Sequence, residues 1–162
     1  TGPFLMARAA LPALLERRGA IVNVASTNGW VAGPGWASYC TSKAGLIMLT
    51  RCLANDYGPR GVRANCVCPG WVRTPMGDAD MGAVAEAWHV DIEQAYRLCS
   101  RETPLRRPAA PEEIAAVVCF LAGPEASYVS GAAIPVDGGA LIVDGSSTPF
   151  LGPDPQLTAL FR

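Results

Sequence analysis

Apolar positions along this chain switch between helical and strand spacing, and the switch recurs three times. The opening segment FLMARAALPALLERRG has the helical period, which puts Phe4, Leu11, Leu14 and Leu15 inward, bends the helix at Pro12 and closes a basic end at Gly19. AIVNVAS, residues 20–26, is a β-branched run of the kind found in a strand covered on both faces, and a glycine-rich loop, NGWVAGPG, follows it. From Trp36 to Tyr57 apolar and small residues occupy most of a helical circumference, ending at Gly58-Pro59. VRANCVCP, residues 62–69, reads as a second buried strand closed by Pro69-Gly70. Residues 74–103 are rich in Met, Asp and Ala with weak periodicity, which predicts mobile helical pieces outside the core, suited to a lid.

The clearest helix is APEEIAAVVCFLAGP. Pro111 stands in its first turn, Glu112 and Glu113 face the positive end of the helix dipole, and Ile114, Val117, Val118 and Leu121 share one face. AAIPVDGG, residues 132–139, makes a third strand. The stretch SSTPFLGPDPQLTALFR has little pattern and predicts a tail over the surface; residues 1–140 are assigned to the folded body and 141–162 to the tail. Strand and helix in alternation imply an α/β fold, a parallel sheet of three strands flanked by helices. In such sheets ligands bind beyond the carboxyl ends of the strands, where Ser26, Pro69-Gly70 and Asp137-Gly138-Gly139 all fall.

Composition narrows the function. The chain has 162 residues, half of them apolar, enough for one domain with a substantial core. A formal charge of −1, with basic residues clustered only in pairs, offers no footprint for nucleic acid or an anionic membrane. The six cysteines include no CxxC pair and no histidine at ligand spacing, so no metal site is expected. Reduced cysteines in apolar surroundings, with no membrane span and no signal segment, predict a cytoplasmic location. The start at Thr1-Gly2-Pro3, with no Met and no preamble before the first helix, predicts a chain that begins partway through a longer one.

The candidate chemistry lies in YCTSK, residues 39–43. Tyr39 and Lys43 stand at i and i+4 on the long helix, on one face and about 5 to 6 Å apart at Cβ. A tyrosinate about 4 Å from an ammonium gains roughly 4 kcal/mol at an effective dielectric of about 20, enough to bring a phenol toward neutrality before desolvation opposes it. Such a phenol can donate or accept a proton near neutral pH. A two-residue pattern is weak by itself, since a packed tyrosine beside a snorkelling lysine has the same spacing. Ser26, at the end of the first strand, adds a hydroxyl that the glycine-containing loop can fold toward the phenol.

With these residues in view, the chain resembles the short-chain dehydrogenase/reductase family through IVNVAS, YCTSK, NCVCPGWVRTPM, APEEIAAVVCFLAG and GAAIPVDGG, in the family's order and spacing. The resemblance covers nearly all of the chain to about residue 140 and implies the C-terminal part of a doubly wound Rossmann fold. It implies that Ser26, Tyr39 and Lys43 match the family's catalytic serine, tyrosine and lysine. Tyrosine would then exchange the proton with the substrate's hydroxyl or carbonyl, lysine would lower its pKa and hold the nicotinamide ribose, and serine would hydrogen-bond the reacting oxygen. Pro69, Gly70, Val72 and Thr74 match the segment along the nicotinamide, while Tyr39 and Lys43 also count among the cofactor contacts. The implied cofactor is NAD or NADP, the partner a small alcohol or carbonyl compound, and the complete enzyme a homodimer or homotetramer.

The chain departs from that pattern in one respect. No glycine-rich turn of the type that holds a pyrophosphate at a helix N-terminus occurs in it, and by spacing the family's catalytic asparagine would precede Thr1. The 162 residues alone are therefore expected to be inactive, and the alternative is a truncated, non-catalytic relative serving as a folding or oligomerisation module. A serine hydrolase fits poorly, because Ser26 lies in VNVASTN and the single histidine, His89, has no nucleophile beside it. Trp30, Trp36, Trp71, Met76 and Trp88 suit either a bulky apolar substrate or packing, and Asp137 is expected to turn the chain rather than to catalyse.

Overall fold

The β-branched segments form one parallel sheet in the computed structural model, which describes residues 1–146. Strand β1 (Ala20–Val24) pairs with β2 (Arg63–Pro69), and β2 with β3 (Ala133–Val136), in the spatial order β1-β2-β3. Ala20 stands opposite Arg63 and Cys66 opposite Ala133, so the carboxyl ends of all three strands share one rim. The fold is α/β and Rossmann-like, as the alternation of periods implied. Residues 64–68 of the central strand are all buried, which explains a run of apolar and small side chains without alternation.

Five helices accompany the strands among the described residues: α1 (Gly2–Arg17), α2 (Ala37–Tyr57), α3 (Pro75–Trp88), α4 (Ile92–Cys99) and α5 (Pro111–Ala122). The chain divides into two compact units. One holds Thr1–Pro69 with Glu112–Val136, and the other Gly70–Pro111 with the residues from Asp137.

In the first unit α1 and α2 pack on the sheet through Ala7, Leu11, Leu53 and Ala64, with Ile21 and Leu49 at the edge of the cluster. A second cluster joins Ala25, Ile47, Cys66 and Cys68. Polar side chains also bind elements to one another. The fully buried Asn65 donates from Nδ2 to the Val129 carbonyl at 2.7 Å and accepts from the Ala132 amide at 3.1 Å, fixing the approach to β3. The Arg63 guanidinium donates to the carbonyls of Leu121 at 2.7 Å and Gly123 at 2.9 Å, satisfying acceptors that the end of α5 leaves open.

Two sequence expectations for α1 need correction. Phe4 points outward, 54% exposed, and Ala7 and Leu11 are the buried residues of α1. That helix runs through Pro12 to Arg17 and is capped by Arg18 in the left-handed conformation, not by Gly19. Of α2, Ile47, Thr50 and Leu53 are buried, and Leu46, Leu49, Ala54 and Tyr57 pack partly buried against the same clusters. Counting apolar residues registers composition, whereas burial depends on which face meets the sheet.

The helical pieces expected over 74–103 are α3 and α4, but the second unit gives them a core of their own where the sequence placed them outside the core. Thr74 caps α3 by accepting from the Gly77 amide at 3.1 Å, and Asp91 with Gln94 forms a complete capping box on α4. Met81, Ala95 and Tyr96 are essentially inaccessible and form a core of their own with Trp71 and Ile92 against it. The Tyr96 hydroxyl donates to Asp78 at 2.9 Å, and the Arg73 guanidinium lies 4.4 Å from the Tyr96 ring centroid while pairing with Glu93. Burial, and then the hydrogen bond to Asp78, push the Tyr96 phenol up to about 12. It therefore stays protonated as a donor. Of the tail, residues 147–162 lie outside the described residues.

Candidate active site

The end of β1 and the first turns of α2 bring two of the three candidate catalytic side chains together. Lys43 extends along the helix so that its Nζ lies 5.5 Å from the centroid of the Tyr39 ring, within cation–π range. The same ammonium donates to the Val24 carbonyl, the last of β1, at 3.1 Å. This hydrogen bond ties α2 to the carboxyl rim of the sheet and uses one of three ammonium protons. Tyr39 is 40% exposed, so its phenol is open to a ligand rather than packed into the core.

Ser26 sits two residues beyond β1 and is buried, with extended backbone. Its Oγ accepts from the Asn28 amide at 3.1 Å and donates to Asn28 Oδ1 at 3.3 Å. The hydroxyl is thus turned onto Asn28, and no hydrogen bond joins it to Tyr39. Asn28 and the Val24 carbonyl are the two site elements that sequence reasoning missed. The Ser-Thr-Asn turn gave a signal for the first, since serine and asparagine side chains habitually close such turns; a backbone acceptor on another element gives none.

The turn at Thr27–Gly29 is held against α2. A β-carbon on Gly29 would lie 2.5 Å from Ile47 Cδ1 and 3.2 Å from the Lys43 carbonyl carbon and oxygen, so only glycine permits this approach. Beneath it, Cys66 and Cys68 project from the same face of β2 with their sulfurs 4.0 Å apart. The hydrogen bond that Cys68 donates to Cys66, together with burial, pushes the Cys68 thiol up. It is a packed thiol and not a nucleophile.

The residues matched to the nicotinamide segment fall at and after the end of β2. Pro69 is the last residue of that strand. In the second unit, Gly70 is half-buried, and a β-carbon there would lie 3.1 Å from Asp137 Cα. Val72 bridges to Ala109, and Thr74 is the α3 cap, its oxygen accepting from Gly77 while its O–H remains a donor. Asp137 accepts from the amides of Gly139 and Leu141, both at 2.9 Å, which makes it the turn-forming carboxylate expected from its sequence position. His89 is exposed at the left-handed cap of α3. Trp30, Trp36, Met76 and Trp88 are exposed, whereas Trp71 packs against the second unit's core.

Among the described residues no group of three or more His, Cys, Asp or Glu side chains could hold a metal ion, and no helix is long and apolar enough to cross a membrane. A family model described as enoyl-(acyl carrier protein) reductase matches residues 1–140. The protein MoaE of Klebsiella aerogenes is 50% identical over 144 residues, which cover 89% of this chain and 56% of MoaE. Meso-2,3-butanediol dehydrogenase of Serratia marcescens is 42% identical over 144 residues, covering 89% and 53%. The ligand-free aldohexose dehydrogenase of Thermoplasma acidophilum superposes with a TM-score of 0.81 at 33% identity, over 89% of this chain and 56% of that one. This chain belongs to the short-chain dehydrogenase/reductase family. It spans about half the length of the curated relatives it matches.

Proposed function

We propose that the whole protein is an oxidoreductase that interconverts an alcohol and a ketone or aldehyde with NAD or NADP, with Tyr39 as general acid/base. One observation carries this reading: the Lys43 ammonium is held beside the exposed Tyr39 ring by the last carbonyl of β1, at the carboxyl rim where such sheets bind ligands. The donor set suits a nicotinamide nucleotide, because the two ammonium protons not given to Val24 match a pair of ribose hydroxyls. When bound, the nicotinamide accepts or supplies the hydride.

In the oxidative direction the carbinol proton passes to the Tyr39 phenolate as the carbinol C–H bond breaks and its hydride departs, leaving the carbonyl. In reduction the Tyr39 phenol returns that proton to the oxygen. Lys43, with its Nζ 5.5 Å from the Tyr39 ring centroid and tied to Val24, stays beside the phenol through these steps. Ser26 donates to the reacting oxygen, exchanging its weak 3.3 Å contact with Asn28 Oδ1 for one to substrate, and so stabilises the developing charge. Pro69, Gly70, Val72 and Thr74 serve as the nicotinamide-side contacts, with the Thr74 O–H as a donor to the carboxamide.

Nicotinamide turnover by the whole protein across a broad panel of alcohols and ketones tests this reading. Turnover with at least one pair is expected, and none across the panel would leave the non-catalytic module as the better account. In the same experiment the 162 residues alone should show no NADH binding by calorimetry, since they contain no glycine-rich pyrophosphate turn. Self-association belongs to the reading as well: Phe4 and Met6 on α1 and Met48 on α2 are exposed apolar side chains that a second copy could cover. A dimer or tetramer is expected in sedimentation of the whole protein, and a monodisperse monomer would remove this part.

A further inference from the structure

We propose that a cavity at the amino edge of the sheet, remote from Tyr39, binds a phosphate group, free or as a small ester, through Arg18 and the hydroxyls of Ser127 and Ser130. The cavity lies wholly within the first unit and holds about 760 Å³, inside the range of small-molecule sites. It forms where the three connections that enter the strands meet. Arg18 and Gly19 lead into β1, Gly61 and Val62 into β2, and the turn carrying Ser127, Tyr128 and Ser130 precedes β3; all of them line the same space. Arg63, which opens β2, lines it too, whereas Pro69 ends that strand, so about 20 Å of sheet separates the cavity from the carboxyl rim.

The backbone carries the Arg18 stem across this space. Arg18 adopts the left-handed conformation, φ 50°, although Gly19 beside it would take that conformation without strain. A β-carbon on Gly61, itself at φ 86°, would lie 2.9 Å from Arg18 Cγ and 3.0 Å from its Cδ, so the stem rests on bare backbone. The Arg18 guanidinium makes no hydrogen bond or ion pair among the described residues, which leaves its N–H groups open to a ligand. The Arg63 guanidinium is committed to the carbonyls at the end of α5 and adds a fixed positive charge to the wall. Charge then selects the ligand. No Asp, Glu or His lines the cavity, and Glu125, whose carboxylate lies over Gly123, forms no ion pair with either arginine among the described residues. The other polar side chains are hydroxyls: Ser130 Oγ accepts from the Ala64 amide at 3.4 Å and keeps its O–H as a donor, and Ser127 and Tyr128 add two more. Cationic and hydroxyl donors without a carboxylate suit an anion that only accepts, and the guanidinium fork matches two phosphate oxygens.

Calorimetric titration of the whole protein with inorganic phosphate and with phenyl phosphate, which has no oxidisable hydroxyl, tests this, each with and without saturating NADH. At least one of them is expected to bind with a Kd below about 1 mM, unchanged by NADH, and the ratio of the two affinities tells a site for the free ion from one for an ester. Arg18→Gly, which keeps the left-handed conformation unstrained, should weaken binding by at least about tenfold, and Arg18→Lys by less, since it keeps the charge and loses the fork. A second measurement needs no variant: in the wild type, the bound anion should slow amide hydrogen exchange in residues 58–63 and 122–130 and leave residues 24–43 unchanged. Absence of binding, or binding that Arg18→Gly leaves intact, would overturn the inference. Displacement by NADH, or protection confined to residues 24–43, would also overturn it, placing the anion in the cofactor's site. The inference stands apart from the roles given to Tyr39 and Lys43, so either can fail without the other.

Discussion

Tyr39→Phe in the whole protein is expected to lower kcat by at least about a hundredfold while leaving the fold intact, the loss associated with removing a general acid/base. The argument runs from the helix. Tyr39 is 40% exposed and makes no packing contribution to either core cluster of its unit, so loss of its hydroxyl leaves no buried group unsatisfied. Lys43 keeps its hydrogen bond to Val24 in the variant, so the tie between α2 and β1 survives. What disappears is the phenol hydroxyl beside the Lys43 ammonium, the group proposed to take and return the proton. Circular dichroism and kcat measured on the same preparation check the result, and near-normal turnover by a folded variant would remove Tyr39 from the mechanism.

Asn65→Ala is expected to destabilise the first unit by about 2–4 kcal/mol, read as a fall in the urea midpoint at constant slope. Asn65 is fully buried in the central strand and satisfies the Val129 carbonyl and the Ala132 amide with one side chain. Alanine leaves the Ala132 amide without that partner and the Val129 carbonyl with only a 3.5 Å contact from the Arg63 guanidinium, and opens a cavity as well. The segment they belong to leads into β3, so the loss loosens the attachment of a whole strand. A change under about 0.5 kcal/mol, the range of ordinary surface substitutions, would show that water or a shifted backbone replaces the amide.

Much of this architecture was legible because the strands announce themselves. IVNV and ANCVC are β-branched or small throughout, and helical patterns separate them, which leaves few alternatives to a parallel sheet. The spacing of Tyr39 and Lys43 was legible for the same reason: a helix converts a four-residue separation into a shared face. Ser26 was placed at the end of the first strand and lies two residues beyond β1, with its hydroxyl facing Asn28 because the 3₁₀ turn at 27–29 closes before the loop reaches the helix.

The helices of 74–103 were legible, but the core they form was not, for a physical reason. The segment's local signals were present, with Thr74-Pro75 as a helix start and Asp91 and Gln94 at capping-box spacing. The weight given to weak periodicity outran them. What orders the segment is long-range: Tyr96 reaches Asp78 and Arg73 across 18 and 23 positions, and no window of consecutive residues contains that pairing.

The central claim is that Tyr39 and Lys43 operate a proton transfer coupled to hydride transfer from a carbinol carbon. Incubating the whole protein with oxidised nicotinamide and a secondary alcohol deuterated at that carbon tests it most directly. The account predicts that deuterium appears in the reduced nicotinamide and the carbonyl product lacks it, and that Tyr39→Phe suppresses the transfer. Product formed with the deuterium lost to water, or retained in an unoxidised molecule while some other bond is broken, would contradict it.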